Sequence, residues 1–233
     1  MTTPQSKRPQ QLPLAFGHEP ASGRDDLVVS DPVSAAAGII DRWPDWPSPV
    51  VIIIGPAGSG KSHLASVWQQ RSDAQPIFDG GPADPVALAG LHAVLFEDAD
   101  RLPLDETALF HVINQVRSAG TSLLITARGW PLTWGVTLPD LVSRLKAATT
   151  VEIGAPDDLL LTQVLFKLFA DRQLLVDEKL VAYIVSRMER SLEAAQDIVE
   201  RLDRLALARG AKVGRALAGE VLNEMGSEPS TDA

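Results

Sequence analysis

The hydrophobic positions of the chain follow two periods, and the change between them falls near residue 155. In the first part, short apolar runs alternate with helical stripes; the runs lie at 50–54, 75–79, 93–96, 122–126 and 150–153. A run such as 50–54, which is apolar at every position, is typical of a strand buried on both faces of a parallel sheet. Parallel strands need long crossovers, and the helical stripes supply them. The pattern therefore predicts an α/β domain over residues 21–154.

The second part, residues 155–225, shows helical periods only. Helices are predicted at 156–172, 177–188, 191–209 and 216–225. The third places an apolar stripe on one face, formed by Leu192, Ala195, Ile198, Val199 and Leu202. We expect a small all-α lid domain packed behind the sheet. The polar ends, residues 1–20 and 226–233, show no period and are predicted to be flexible tails.

The first apolar run leads into a glycine-rich segment that reads Gly55, Pro56, Ala57, Gly58, Ser59, Gly60, Lys61, Ser62 and His63. Its spacing matches the P-loop, G-x-x-x-x-G-K-[ST], between a strand and a helix predicted at 61–70. The glycines let the backbone turn its N–H groups toward a phosphate chain, and the helix N-terminus attracts the same anion. Lys61 would reach the outer phosphates, and the Ser62 hydroxyl would hold Mg²⁺. The segment predicts binding of a nucleoside triphosphate or diphosphate.

Polar side chains follow two of the other predicted strands. Glu97 and Asp98 come directly after the run 93–96, which is the Walker B arrangement, and Thr126 ends the run 122–126. The carboxyl ends of parallel strands meet at the edge of the sheet where nucleotides bind. There, one carboxylate can hold Mg²⁺ and the other can orient a water molecule. Which of Glu97 and Asp98 serves the metal is left open by the sequence.

Composition narrows the class of protein. The 233 residues carry a formal net charge of −9 and contain no cysteine. An acidic chain lacks the basic surface that broad binding to nucleic acid requires, and a chain without cysteine has no disulfide. No run of about 18 apolar residues predicts a membrane span, and the N-terminus lacks the apolar core of a signal peptide. We therefore predict a cytoplasmic protein with no membrane partner.

The polar tail contains one short apolar segment, which reads Gln11, Leu12, Pro13, Leu14, Ala15 and Phe16. A tail of this composition cannot bury three large apolar side chains by itself. The segment is therefore a candidate linear ligand for a groove on a partner. In the alternative interpretation, Leu14 and Phe16 only hold the tail against the domain.

The order of these parts resembles the AAA+ ATPases of the bacterial replication-initiator (DnaA) family over roughly residues 20–225. The P-loop and Walker B strand are followed by Thr126, by a short helix with Ser143 and Arg144, and by a lid whose third helix follows Arg190. The chain stops where that family's DNA-binding domain would begin, and residues 11–16 resemble a sliding-clamp-binding motif. Both features resemble the Hda-like branch, the regulatory inactivators of the initiator.

The resemblance implies a role for each matching residue. Thr126 would be sensor I, Arg144 an arginine finger acting on a neighbouring subunit, and Arg190 sensor II. The nucleotide would be ADP or ATP, and the partners would be the sliding clamp and the initiator, without direct DNA recognition. A homo-oligomer is compatible with the resemblance. Where the initiators have Ser-Asp-Arg after sensor I, this chain has 127–129 as Ala-Arg-Gly, so little intrinsic hydrolysis is expected.

Other interpretations are open at this point. Arg144 is also explained as a surface charge, and Arg190 as a helix-start charge paired with Glu189 or Glu193. An adaptor or loader of the same fold would recruit another replication factor without a finger and would tolerate loss of Arg144. A P-loop kinase acting on a small molecule is a further alternative, which a phosphoryl-transfer screen would detect.

Overall fold

A computed structural model describes residues 31–78, 84–101 and 103–227. The α/β part contains α1 (Asp31–Asp41), β1 (Val50–Ile54), α2 (Lys61–Ser72), β2 (Gln75–Pro76), α3 (Pro85–Ala89), β3 (Val94–Phe96), α4 (Glu106–Ala119), β4 (Leu123–Ala127), a 3-10 helix (Pro131–Thr133), α5 (Pro139–Lys146) and β5 (Thr149–Glu152). The helical part contains α6 (Asp158–Asp171), α7 (Glu178–Val185), α8 (Leu192–Arg209) and α9 (Arg215–Ser227). The segment 11–16 lies outside the described residues.

The strands form one parallel sheet in the order β2-β3-β4-β1-β5. The strand that leads into the P-loop, β1, lies between β4 and β5, so that Ile52 pairs with Ile125 on one side and Thr150 on the other. The predicted α/β fold with a parallel sheet is thus confirmed. Because all strands are parallel, the residues that follow β1, β3 and β4 meet at one edge of the sheet.

The uninterrupted apolar run of β1 is explained by two layers of helices. Ile52 and Ile54 pack into a core with α4 and α5, whereas Val51 and Ile53 pack into a second core with α1 and α2. All five residues of β1 are buried. Full burial of a side chain of this size stabilises the fold by about 1.5–3 kcal/mol. The strand therefore fixes the start of the P-loop rigidly in the centre of the sheet.

Helices α6 to α9 enclose a separate hydrophobic core. It includes Leu165 and Phe169 of α6, Ile184 of α7, Val199 of α8 and Val221 of α9, all of which are fully buried. Each of these helices occupies a position predicted from the apolar stripes, with ends shifted by a few residues. None of the helices among the described residues is long and apolar enough to cross a membrane.

One helix begins later than the hydrophobic pattern predicts. The apolar stripe of Leu109, Val112, Ile113 and Val116 predicts a helix over 102–119, but α4 begins at Glu106. The carboxylate of Asp105 accepts a hydrogen bond from the backbone N–H of Ala108 at 2.9 Å, and so caps the helix at that point. The cap places Glu106 in the first turn of α4.

Candidate functional site

The P-loop turns tightly at the end of β1. Gly58 and Gly60 have positive φ angles of 64° and 97°, which favour glycine. The backbone of Gly55 passes so close to Ile153, the residue after β5, that an added Cβ would lie 2.7 Å from its carbonyl oxygen. Its N–H donates to the carbonyl oxygen of Ala127 at 3.2 Å, which ties the loop to the end of β4. The glycine spacing is therefore required by the fold of the loop itself.

The ammonium group of Lys61 lies inside this loop. Its Nζ donates to the carbonyl oxygens of Gly55 and Pro56, each at 2.8 Å, and the residue is only 6% exposed. Burial lowers the pKa of Lys61. The negative charge of Asp98 opposes this shift of the pKa most strongly, and Asp100 opposes it less. The carboxylates that follow β3 therefore stabilise the charge of the ammonium.

The ends of β3 and β4 are joined by Thr126. Its hydroxyl accepts a hydrogen bond from the backbone N–H of Asp98 at 3.0 Å, and its carbonyl oxygen accepts one from Ala99 at 2.9 Å. Asp98 has a φ of 49°, an uncommon conformation that aspartate tolerates. Its carboxylate contacts Arg101 at 3.3 Å, while Glu97 is half-buried. The structure therefore brings Glu97, Asp98 and Thr126 to the edge of the sheet that carries the P-loop.

Two residues of this region were missed as site residues by the sequence analysis. Oδ2 of Asp100 accepts the backbone N–H groups of Arg128 and Gly129, at 2.9 and 3.0 Å. The positive charge of Arg128 acts on Lys61 and contributes to its lowered pKa. A signal for Asp100 was present, because it is a third acidic residue beyond the strand, two positions after Asp98. Arg128 was noted only as a departure from the initiator pattern.

The third helix of the lid begins on the P-loop. The backbone N–H of Leu192 donates to the carbonyl oxygen of Gly58 at 2.8 Å. Ser191 caps α8 by accepting the N–H of Ala194 at 3.0 Å, and its side chain lies against the α-carbon of Gly58. A Cβ added to Gly58 would overlap the Cβ of Ser191. The lid and the P-loop are therefore in direct contact at the base of α8.

This contact predicts that Gly58→Ala is more harmful than an alanine at another glycine of similar backbone conformation. Gly210 is the matched control, because its φ is 59° and no atom lies within 4 Å of an added Cβ. The strained backbone alone costs about 1–2 kcal/mol, or a few degrees in Tm. We expect Gly58→Ala to lower Tm further in thermal unfolding. Adding Ser191→Gly to the Gly58→Ala variant should recover part of the difference in Tm. Equal losses of Tm in Gly58→Ala and Gly210→Ala would contradict the contact between Gly58 and Ser191.

Arg190 lies one residue before the cap of α8. Its guanidinium forms an ion pair with Asp158 in the first turn of α6, at 2.9 Å, and the two side chains are 63% and 65% exposed. That partner is neither of the neighbouring glutamates considered from the sequence. An ion pair so exposed contributes about 0–1 kcal/mol to the free energy of unfolding. Arg190 is thus placed at the base of the lid, beside the contact with the P-loop.

Arg144 lies in the last turn of α5. Leu141 and Leu145 of this helix are buried in the core beneath it, and Arg144 is half-buried at the surface. Within the described ranges, no hydrogen bond or ion pair engages its guanidinium. The P-loop ammonium belongs to α2, so the two cationic groups lie on different elements of the fold.

The residues of the P-loop fit a phosphate chain with Mg²⁺. The loop combines a buried ammonium, an exposed serine in the first turn of α2, and the buried hydroxyl of Ser59, which has no hydrogen-bond partner among the described residues. Over the same residues, no three histidine or acidic side chains cluster as a metal cage. P-loop sites need no such cage, because Mg²⁺ is held there by one or two carboxylates together with substrate phosphates.

The P-loop, the carboxylates after β3 and the strand order define an α/β P-loop NTPase with the arrangement of the AAA+ ATPases. The chain is homologous to the AAA+ ATPase domain of DnaA. The chromosomal replication initiator protein DnaA of Sphingopyxis alaskensis is 26% identical over 251 residues, covering 93% of this chain and 54% of that protein. The chain thus spans about half the length of this curated relative. No protein-family model matches the chain.

Two solved structures of DnaA share the fold. Domain III of Thermotoga maritima DnaA superposes with a TM-score of 0.77 at 17% identity, covering 90% of this chain and 98% of that chain. AMPPCP-bound DnaA from Aquifex aeolicus superposes with a TM-score of 0.68 at 16% identity, covering 82% of this chain and 68% of that chain. At these identities the structural likeness establishes the fold alone.

Proposed function

We propose that this protein is a nucleotide-bound AAA+ regulator that promotes hydrolysis of the ATP held by the replication initiator DnaA. The observation that carries the proposal is that two cationic groups occupy different settings on different elements. Lys61 is buried in a P-loop, whereas Arg144 lies half-buried on a surface helix outside it. A P-loop domain with an available arginine at that position is suited to act on a neighbour's nucleotide. The homology to DnaA supports a neighbour from replication initiation.

The protein's own ligand is proposed to be ADP or ATP with Mg²⁺. The AMPPCP bound to Aquifex aeolicus DnaA supports an adenine nucleotide. Backbone N–H groups of residues 55–62 and the Lys61 ammonium would hold the phosphates, and Arg190 would approach them from the lid. Ser62 and one of the two carboxylates Glu97 and Asp98 would hold Mg²⁺, which neutralises phosphate charge. The other carboxylate would orient a water molecule.

Arg144 is proposed to act across the interface with the initiator. A guanidinium is planar and carries several donors in a rigid fork, so it can bind two oxygens of a transferring phosphoryl group. Stabilising the charge that develops there is the main contribution of the protein in phosphoryl transfer. The proposal is tested by following hydrolysis of initiator-bound ATP with and without this protein, in the presence of DNA-loaded sliding clamp.

The segment Gln11–Phe16 is proposed to tether the protein to the sliding clamp. Its apolar side chains resemble the clamp-binding motif, and a tether would raise the local concentration of the regulator at replicating DNA. A tether to the clamp also favours the role of a regulator over that of an initiator, because it would couple the activity of the protein to the replication machinery.

Gln11→Ala combined with Leu14→Ala should abolish clamp binding. The substitutions remove the polar and apolar anchors of the motif, while nucleotide affinity should stay unchanged because the P-loop is untouched. Surface plasmon resonance on immobilised clamp measures the first effect, and titration calorimetry with ADP measures the second. Gln5→Ala, elsewhere in the same tail, is the control and should bind like the unaltered protein. Clamp binding at full strength by the double variant would show that the tether lies elsewhere.

A further inference from the structure

The start of the helix that carries Arg144 is held by a side chain from another helix. Both carboxylate oxygens of Glu106 accept the backbone N–H of Thr137 at 3.0 Å, and Oε2 accepts the N–H of Leu138 at 2.6 Å. The hydroxyl of Thr137 donates to the same carboxylate at 3.1 Å. These backbone hydrogen bonds, with that of Thr137 the largest, hold the pKa of Glu106 below its usual value. Glu106 therefore accepts the hydrogen bonds of the two backbone N–H groups that directly precede α5.

The sequence of α5 provides no such anchor by itself. Its N-cap is Leu138, which has no side chain that can accept a hydrogen bond, and its first residue is Pro139, which has no N–H. The free backbone N–H groups at a helix start must be satisfied by another group. Glu106, 32 residues earlier in the chain, meets that need for Leu138. The position of α5 thus depends on α4 at the point where the helix begins.

A second carboxylate holds the other end of the same connection. Asp100 accepts the N–H groups of Arg128 and Gly129, and the indole N–H of Trp134 donates to the carbonyl oxygen of Gly129 at 2.9 Å. The 3-10 helix between these points packs against α5. The connection 128–138 is therefore fixed at one end by Asp100, which follows β3, and at the other by Glu106, which begins α4. Asp100 lies two residues after Asp98 of the Walker B pair.

We propose that Glu106 is a positioning residue for Arg144, acting through the start of α5, with Asp100 as the second anchor of the connection. This inference rests on the proposed function, in which Arg144 reaches the initiator's nucleotide. Arg144 lies six residues after Leu138, and a short helix carries a displacement of its start along its whole length. A misplacement of about 1 Å at a reacting centre can lower a rate on the order of 100-fold. Loss of the anchor should therefore reduce catalysis without affecting nucleotide binding.

The test is Glu106→Gln, which keeps the size of the side chain but replaces one acceptor oxygen with an NH₂ group facing N–H donors. Asp140→Asn is the matched control, because it removes one carboxylate from the first turn of α5, where no hydrogen bond or ion pair engages it within the described ranges. In Glu106→Gln, NMR should detect faster hydrogen exchange of the Thr137 and Leu138 amides. Stimulation of hydrolysis of initiator-bound ATP should fall by roughly 10- to 100-fold at saturating protein. ADP affinity should be unchanged, and the control should match the unaltered protein.

A double variant separates positioning from a general loss of structure. If Glu106 acts through Arg144, Glu106→Gln should have no further effect on stimulation in a protein that already carries Arg144→Ala. Full stimulation by Glu106→Gln, with stimulation lost in Arg144→Ala, would overturn this inference and leave the proposed function intact. Full stimulation by Arg144→Ala would overturn both. Unchanged exchange of the two amides in Glu106→Gln would show that the carboxylate is not the anchor of α5.

Discussion

Replacing Lys61 with alanine should weaken the binding of ADP and ATP by roughly 10- to 100-fold or more. A hydrogen bond to a charged group contributes about 1.5–3 kcal/mol, and the ammonium can contact more than one phosphate oxygen. Lys61 is held ready for this role, because its Nζ lies 2.8 Å from two carbonyl oxygens of the P-loop. Burial lowers its pKa, so a phosphate anion would relieve an unfavourable environment for the charge.

Titration calorimetry with ADP and with ATP measures this loss. Lys212→Ala is the control, since it removes an exposed lysine far along the chain and should leave both affinities unchanged. Thermal unfolding of the Lys61 variant should remain cooperative, because the buried β1 beneath the loop is not altered. Unaltered nucleotide affinity in Lys61→Ala would refute the assignment of this loop as the phosphate site.

Replacing Arg144 with alanine should remove most of the stimulated hydrolysis of initiator-bound ATP. Arginine fingers supplied by a neighbouring protein contribute on the order of 10³–10⁵-fold in rate where they are known. Burial of Leu141 and Leu145 holds α5 on the core, whereas Arg144 is only half-buried, so the fold should tolerate removal of its side chain. Nucleotide binding by this protein and binding to the clamp should both persist. Lysine at position 144 should rescue little, because a point charge does not reproduce the planar fork.

The measurement is hydrolysis of initiator-bound ATP in the presence of DNA-loaded clamp, over a range of concentrations of this protein. Arg117→Ala removes an exposed arginine from the last turn of the neighbouring α4 and should retain full stimulation. A finger is expected to change the maximal rate rather than the concentration needed for half of the effect. If Arg144→Ala stimulates as well as the unaltered protein, the adaptor without a finger becomes the better explanation.

Much of the nucleotide site could be predicted from local sequence. The five apolar residues of β1 identified a strand buried on both faces, and the glycine spacing after it identified a loop that only glycine permits. The carboxylates at 97 and 98 were located by the apolar run in front of them. Such signals are local, because each depends on the backbone and burial of consecutive residues. The same reasoning placed Arg144 on a short helix, which the structure describes as α5.

The contacts that organise these parts are not local and required the tertiary structure. Asp100 meets Arg128 across 28 residues, Glu106 meets Leu138 across 32, and Leu192 of the lid meets the P-loop at Gly58. In each pair a backbone group is satisfied by a partner from a distant element. Which partner is available to a backbone group depends on strand order and helix packing. The sequence around either partner does not encode these. The sequence by itself determined which groups are present for nucleotide chemistry, and the packing of α4, α5 and α8 decided where those groups are held.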